Sequence, residues 1–183
     1  DTGSPAFEIG PGSVLISNGT SPIQFNVATG ATALISGTLT FSGTSHRLVA
    51  AMAGALTFTS GSVYETATGF SGSPFGTTGT ADIAVFQAGS TYRHGAGGNP
   101  FGLAAPASRV VFQTGSEFVV LTPTGFVATG RTYSHLRIAN SSAISTTGNG
   151  NLQFDNLFVE SGSSFAHSGN GTASIRIRGN VGS

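Results

Sequence analysis

Seven carboxylates, seven arginines and four histidines, in 183 residues without lysine or cysteine, carry most of the chemistry this chain can offer. A hydrolase or lyase acting on polysaccharide needs carboxylates converging on one face, set a few ångströms apart for acid and base work and often backed by Arg or Ca²⁺. The acids are Asp1, Glu8, Glu65, Asp82, Glu117, Asp155 and Glu160. No two occupy the same motif position on adjacent repeats, and Asp155 and Glu160, if on one strand, are odd-spaced and face opposite ways. No catalytic residue and no enzymatic activity is therefore assigned. His46, His94, His135 and His167 show neither His-x-His nor His-x₃-His spacing, and with no thiolate available no metal site is expected. Serine is abundant, but no Gly-x-Ser-x-Gly elbow joins a strand to a helix. The Gly-rich string Gly95–Gly98 opens no helix that would present amides to a phosphate, so no cofactor is expected either.

Composition narrows the partners. Seven Arg against seven acids leave no net field to release counterions, which argues against nucleic acid. No run of about 18 apolar residues is present, so no membrane span is expected. There is no basic segment followed by an apolar one, as a signal peptide would need. Only 8% of residues are charged, yet 38% are hydrophobic and 14 are Phe, enough to bury a core and exclude a disordered tail. Sequons stand at Asn18, Asn140 and Asn170 and matter only in a eukaryotic secretory source.

The elements that must position these groups come from a repeat. The unit apolar-x-apolar-x-x-Gly-Ser-x-apolar occurs at Leu56–Tyr64, Ala84–Tyr92, Val110–Phe118 and Leu157–Phe165, with weaker copies at Phe7–Leu15, Phe25–Ala33 and Leu136–Ile144. Its turn residues are Gly12, Gly30, Gly61, Gly89, Gly115, Ser141 and Gly162, at a mean spacing of about 25, within the range of solenoids. Alternate apolar residues share one strand face, Gly bends the chain at a corner, and the next Ser bonds the bent backbone. The expected fold is an all-β, parallel β-helix of about seven coils, right-handed, in one domain spanning 1–183, with a rod length of about 34 Å.

Stacking these copies predicts two interior columns. The first holds Ile9, Val27, Phe58, Phe86, Phe112, Ile138 and Val159; the second holds Leu15, Ala33, Tyr64, Tyr92, Phe118, Ile144 and Phe165. The aromatic stripe is expected to be core. Outside, Gln87 and Gln113 should be neighbours, and Glu65 and Arg93 should form a surface ion pair. Inserts at 69–80 and 94–106, each with a Pro-Phe-Gly, are read as loops thrown out from the coils. Phe75 and Phe101 are expected to pack on each other or cap a groove, and Phe75, Arg93, His94 and Phe101 are the candidate binding-loop residues.

The phrases LTFTSGSVY at 56–64, VVFQTGSEF at 110–118 and GNGTASIRIRGNV at 169–181 resemble the repetitive β-helix regions of large secreted or surface-anchored bacterial proteins, of the adhesin and type IX-secreted kinds. The resemblance implies an extracellular or cell-surface location and a stalk, adhesive or fibre role, and transfers no catalytic residue. The expected partners are neighbouring coils of a longer chain or a second copy stacked end to end, with Arg176 and Arg178 available to pair with acids of the next subunit. A surface glycan is the other candidate. A carbohydrate-binding or polysaccharide-degrading β-helix is the alternative function. Ice binding ranks third, with Thr38-Leu39-Thr40 and Thr122-Pro123-Thr124 as the Thr-x-Thr segments read for it.

Overall fold

Short runs with period-two burial, broken every few residues by Gly or Ser, can only build short strands, and the chain does so twenty times with no helix among the described residues. The computed structural model describes residues 5–123, 130–147, 150–168, 175–179 and 181–182. All strand pairs are parallel, and the chain winds as a β-solenoid with three sides. The first side stacks β1 (Phe7–Ile9), β4 (Ala33–Ile35), β7 (Leu56–Phe58), β9 (Ala84–Phe86) and β11 (Val110–Phe112). It is continued by β13 (Arg131–Thr132), β16 (Leu152–Phe154) and β19 (Ile175–Ile177). The second side is one sheet of eight strands: β2 (Val14–Ser17), β5 (Thr38–Phe41), β8 (Val63–Thr66), β10 (Thr91–His94), β12 (Glu117–Val120), β14 (His135–Ile138), β17 (Asn156–Val159) and β20 (Val181–Gly182). That stack is close to the seven coils expected. Among the described residues the third side has two strand pairs, β3 (Gln24–Val27) with β6 (Arg47–Ala50) and β15 (Ala143–Thr147) with β18 (Ser164–Ser168).

The corners explain the repeat. At Gly61, Gly89 and Gly115 the backbone takes φ of 81°, 77° and 89°, a conformation that favours Gly. The following Ser62, Ser90 and Ser116 are buried, and each donates both its amide and its hydroxyl to the carbonyl three residues back, the hydroxyl bonds being 2.7, 2.6 and 2.7 Å. Successive corners are also linked, the Gly61 amide donating to the Gly89 carbonyl at 2.9 Å and the Gly89 amide to the Gly115 carbonyl at 2.8 Å. At Ser141 the same bend is made by two residues of positive φ, Asn140 and Ser141, the type I′ pattern that Asn tolerates.

The same turn, however, serves all three corners. Gly12, Gly61, Gly89 and Gly115 join the first side to the second, Ser141 and Gly162 join the second to the third, and Gly30 joins the third to the first. This corrects the predicted columns. Ile9 is followed by Ile35, Phe58, Phe86 and Phe112, so Ile35 takes the place expected for Val27. Tyr133 and Phe154 continue that ring stack. Leu15 is followed by Leu39, Tyr64, Tyr92, Phe118, Leu136 and Leu157, displacing Ala33, Ile144 and Phe165. Ile138 and Val159 lie on the second side in register with Val120, and Ile144 pairs with Phe165 on the third. Phe165 is half-buried there, against Phe154 at 6.2 Å.

Other first-to-second corners are tight and carry no Gly-Ser turn. At Gly37 a Cβ would overlap the carbonyl oxygens of Gly10 and Ser13 on the preceding coil. Gly37→Ala is therefore expected to cost about 1–3 kcal/mol, because backbone rather than a mobile side chain must give way. Urea unfolding checks this, and an unchanged midpoint would mean that the corner is slack.

The inserts are not loops thrown outward. They form the third wall where strands are lacking. The Leu48 amide donates to the Pro74 carbonyl at 2.8 Å, Thr44 bridges to Ser71, and the Gly98 amide donates to the Gly72 carbonyl at 2.6 Å, so the two inserts lie one above the other. Phe75 and Phe101 are fully buried, each turned into the core. Phe75 meets Tyr64 at 5.3 Å and Phe58 at 6.2 Å; Phe101 meets Tyr133 at 5.4 Å and Phe118 at 6.1 Å. They pack into successive ring clusters rather than on each other.

Two buried arginines fix these walls, each reaching back from the coil that follows. Arg109 Nη1 donates to the carbonyls of Thr78 and Thr80 of the 69–80 insert. Arg131 donates from Nη1 to the Ala107 carbonyl and from Nη2 to Leu103 at 2.6 Å, with its guanidinium 4.8 Å from the centre of the Phe101 ring. Burial lowers the pKa of both, and for Arg131 the neighbouring Tyr133 opposes that shift.

Candidate functional site

Outward residues of the eight-stranded side fall in columns set by register, and one column runs Ile16, Thr40, Glu65, Arg93, Val119, Arg137 and Phe158. Arg93 Nε donates to Glu65 Oε2 at 3.0 Å, the ion pair expected from equivalent positions on successive coils. Two coils on, Arg137 Nε donates to Glu117 Oε1 at 2.8 Å and Nη1 to Glu160 Oε1 at 3.4 Å. Its guanidinium also lies 4.9 Å from the Phe158 ring centre. Burial works to lower the Arg137 pKa but is outweighed by the bond to Glu117 and the charges of Glu117 and Glu160, so the net shift is upward.

Arg93, Glu117, Arg137 and Glu160 line an open trough of about 650 Å³, together with Val63, Thr91 and Val119 and with Ala139 and Asn140 of the type I′ turn. Its charges are already matched to one another. The trough thus suits a neutral, hydroxyl-rich ligand lying across guanidinium edges and the apolar strip better than it suits acid–base chemistry.

Of the candidate binding residues, only Arg93 lines this trough. His94 alternates with it on β10 and points inward, fully buried, with Nδ1 3.4 Å from Tyr92 Oη, which is 3.3 Å from Thr66 Oγ1. Burial raises the pKa of Tyr64, Tyr92 and Tyr133, keeping these phenols neutral. Phe75 and Phe101, as core residues, are likewise corrected as ligand contacts. Asp155 and Glu160 do not share a strand. Asp155 sits at a tight corner, accepting from Ser134 Oγ at 3.0 Å and facing Arg178 at 3.7 Å, while Glu160 opens the turn after β17.

Glu117, Arg137 and Glu160 are not legible as a cluster in the sequence, because the turn at Gly115 lies at a different corner from those at Ser141 and Gly162. The available signal was the short spacing between Phe118 and Leu136, which in true register puts Arg137 beside both acids. Gln87 and Gln113 are neighbours as expected and both are exposed. Thr38 and Thr40 face outward between Val14 and Ile16 on one side and Val63 and Glu65 on the other, so they extend into no threonine ladder. Thr124, Asp1 and the Asn170 sequon lie outside the described residues. No group of three metal-ligating side chains occurs among the described residues, and they include no helix long and apolar enough to cross a membrane.

Comparison with protein-family models, with curated proteins and with solved structures returned no match.

Proposed function

We propose that the chain is a non-enzymatic structural or adhesive β-solenoid, displayed at a cell surface or outside the cell, serving as a stalk, adhesin segment or fibre subunit. The observation that carries this reading is how the outer charges are used: Glu65–Arg93 and Glu117–Arg137–Glu160 join one coil to another along the rod. Together with the interior ring stack they tie each coil to its neighbours, which is what a rod under tension needs. Single-molecule pulling is expected to give stepwise release of whole coils, with no turnover of polysaccharides offered in a panel. Turnover lost in Glu117→Gln or Glu160→Gln would overturn the reading.

A second reading, glycan binding, is favoured by the trough itself. On a glycan array, Arg93→Ala and Arg137→Ala should then abolish any signal the parent chain gives. Stability should fall by only about 1 kcal/mol or less for each, as for exposed ion pairs. A signal unaffected by both substitutions would place binding elsewhere.

A further inference from the structure

Matching arginines to carboxylates leaves two cations together on the third side. Arg93, Arg137 and Arg178 each face a carboxylate, and Arg131 is enclosed against Phe101. Arg47 and Arg109 have no carboxylate partner among the described residues. Both line one cleft of about 440 Å³, where β6 meets the 69–80 insert, within the range of about 300–1,000 Å³ typical of ligand clefts. A second cavity of about 240 Å³ adjoins it, sharing Arg47, Gly76 and Thr77. No described Asp or Glu lines either one.

The two cations are held differently. Arg47 is exposed on β6, beside the neutral Gln24 of the preceding coil. Arg109 is only 3% exposed; its Nη1 is taken up by the carbonyls of Thr78 and Thr80, whereas its buried Nε has no partner. A buried cation without a countercharge is destabilising, and an anion seated beside it offsets that. The insert is fixed around it, with Thr80 Oγ1 donating to the Ala51 carbonyl at 2.9 Å and the Gly76 amide to the Ser73 carbonyl at 3.0 Å. With the Thr78 and Thr80 carbonyls turned onto Arg109, the cleft offers an occupant mainly groups that can donate. These are the Arg47 guanidinium, the Thr77 and Thr78 hydroxyls and the Gln24 amide, beside the half-buried Val49.

Such a set fits an oxyanion carried on a hydroxyl-bearing body. No aromatic side chain is among the described lining residues to stack a base, and the net charge is zero, so a nucleic acid fits less well. We infer that this cleft binds an acidic saccharide, its carboxylate or sulfate ester held by Arg47 and Arg109 and its ring against Val49. The site is distinct from the trough on the second side, whose charges are matched to one another, and it is independent of both functional readings above.

The test is calorimetric titration at low salt, on the 183-residue chain and on Arg47→Ala, Arg47→Glu and Arg176→Ala. The probes are a sulfated tetrasaccharide, a uronate tetrasaccharide, a neutral tetrasaccharide, inorganic sulfate and an oligothymidylate. Arg47 and Arg176 are exposed, so all four proteins should melt alike. At least one acidic saccharide should bind, more weakly as salt rises, and comparison of the two acidic probes identifies the group that is seated. Arg47→Ala should weaken that binding about 10-fold or more, as expected for losing a bond between charged groups, and Arg47→Glu should abolish it. Arg176→Ala, which removes an exposed cation on β19, should leave it unchanged. Binding of neither acidic saccharide would overturn the inference. So would equal binding of the neutral saccharide, inorganic sulfate or the oligothymidylate, or a signal indifferent to Arg47. None of these results alters what the pulling and turnover measurements, or Arg93→Ala on a glycan array, say of the other readings.

Discussion

Phe86→Ala is expected to lower stability by about 3–5 kcal/mol, the range for emptying a buried aromatic site. Phe86 is fully buried and lies 4.2 Å from Phe58 in a parallel stack, 5.0 Å from Phe112, and edge-on to Phe75 at 6.3 Å and Tyr92 at 5.9 Å. Its ring therefore joins three successive coils to the insert wall. A chain of this length loses roughly 2–4 °C of melting temperature per kcal/mol, so a fall of about 6–20 °C should be read by calorimetry. In a solenoid the stability of a coil depends on the interface with its neighbours. The substitution should therefore also divide the transition, with the halves on either side of β9 melting separately. Replacing the exposed neighbour, Gln87→Ala, should leave the melt unchanged. A single transition within about 2 °C of the parent for Phe86→Ala would show that the ring column does not couple the coils.

Arg131→Ala is expected to cost about 3 kcal/mol or more, since bonds from a charged donor contribute about 1.5–3 kcal/mol each and two carbonyls would lose theirs. The guanidinium is buried, and its described partners are the carbonyls of Ala107 and Leu103 and the face of Phe101 rather than a carboxylate. The loss should be local. The wall formed by residues 94–106 should become the first site of proteolytic nicking, while the 69–80 wall, held by Arg109, stays protected. Arg131→Lys should rescue little, because one ammonium cannot reproduce a planar fork spanning two carbonyls and a ring face. If 94–106 in Arg131→Ala resists protease as the parent does, the insert is held by Phe101 alone.

Fold class was readable because the Gly-Ser turn has a chemical necessity behind it: a positive φ and a hydroxyl that folds back on its own corner. The central columns, Phe58, Phe86 and Phe112 with Tyr64, Tyr92 and Phe118, were read in true register because those coils share one corner type. Beyond them the turns alone do not set the register. A turn motif marks a bend without saying which of three bends it is, and tight corners such as those at Gly37 and Asp155 leave no motif. Phe75 and Phe101 were hidden for another reason: within Gly- and Pro-rich text, a single inward ring carries no periodicity. The trough was lost with the register, because Glu117, Arg137 and Glu160 are neighbours only after Leu136 is placed beside Phe118.

The substitution of inserts for strands on the third side separates two quantities that a regular solenoid keeps locked. Pitch is maintained by hydrogen bonding along the first two sides, whereas the number of residues per coil is taken up by the third. Between Tyr64 and Tyr92 a coil detours through an insert, and between Phe118 and Leu136 it takes a much shorter path, yet both pairs remain adjacent in the ladder. A foreign segment grafted at 69–80 or 94–106 would consequently be displayed at a fixed height along the axis, provided it supplies one ring to the interior and carbonyls for the arginine behind it.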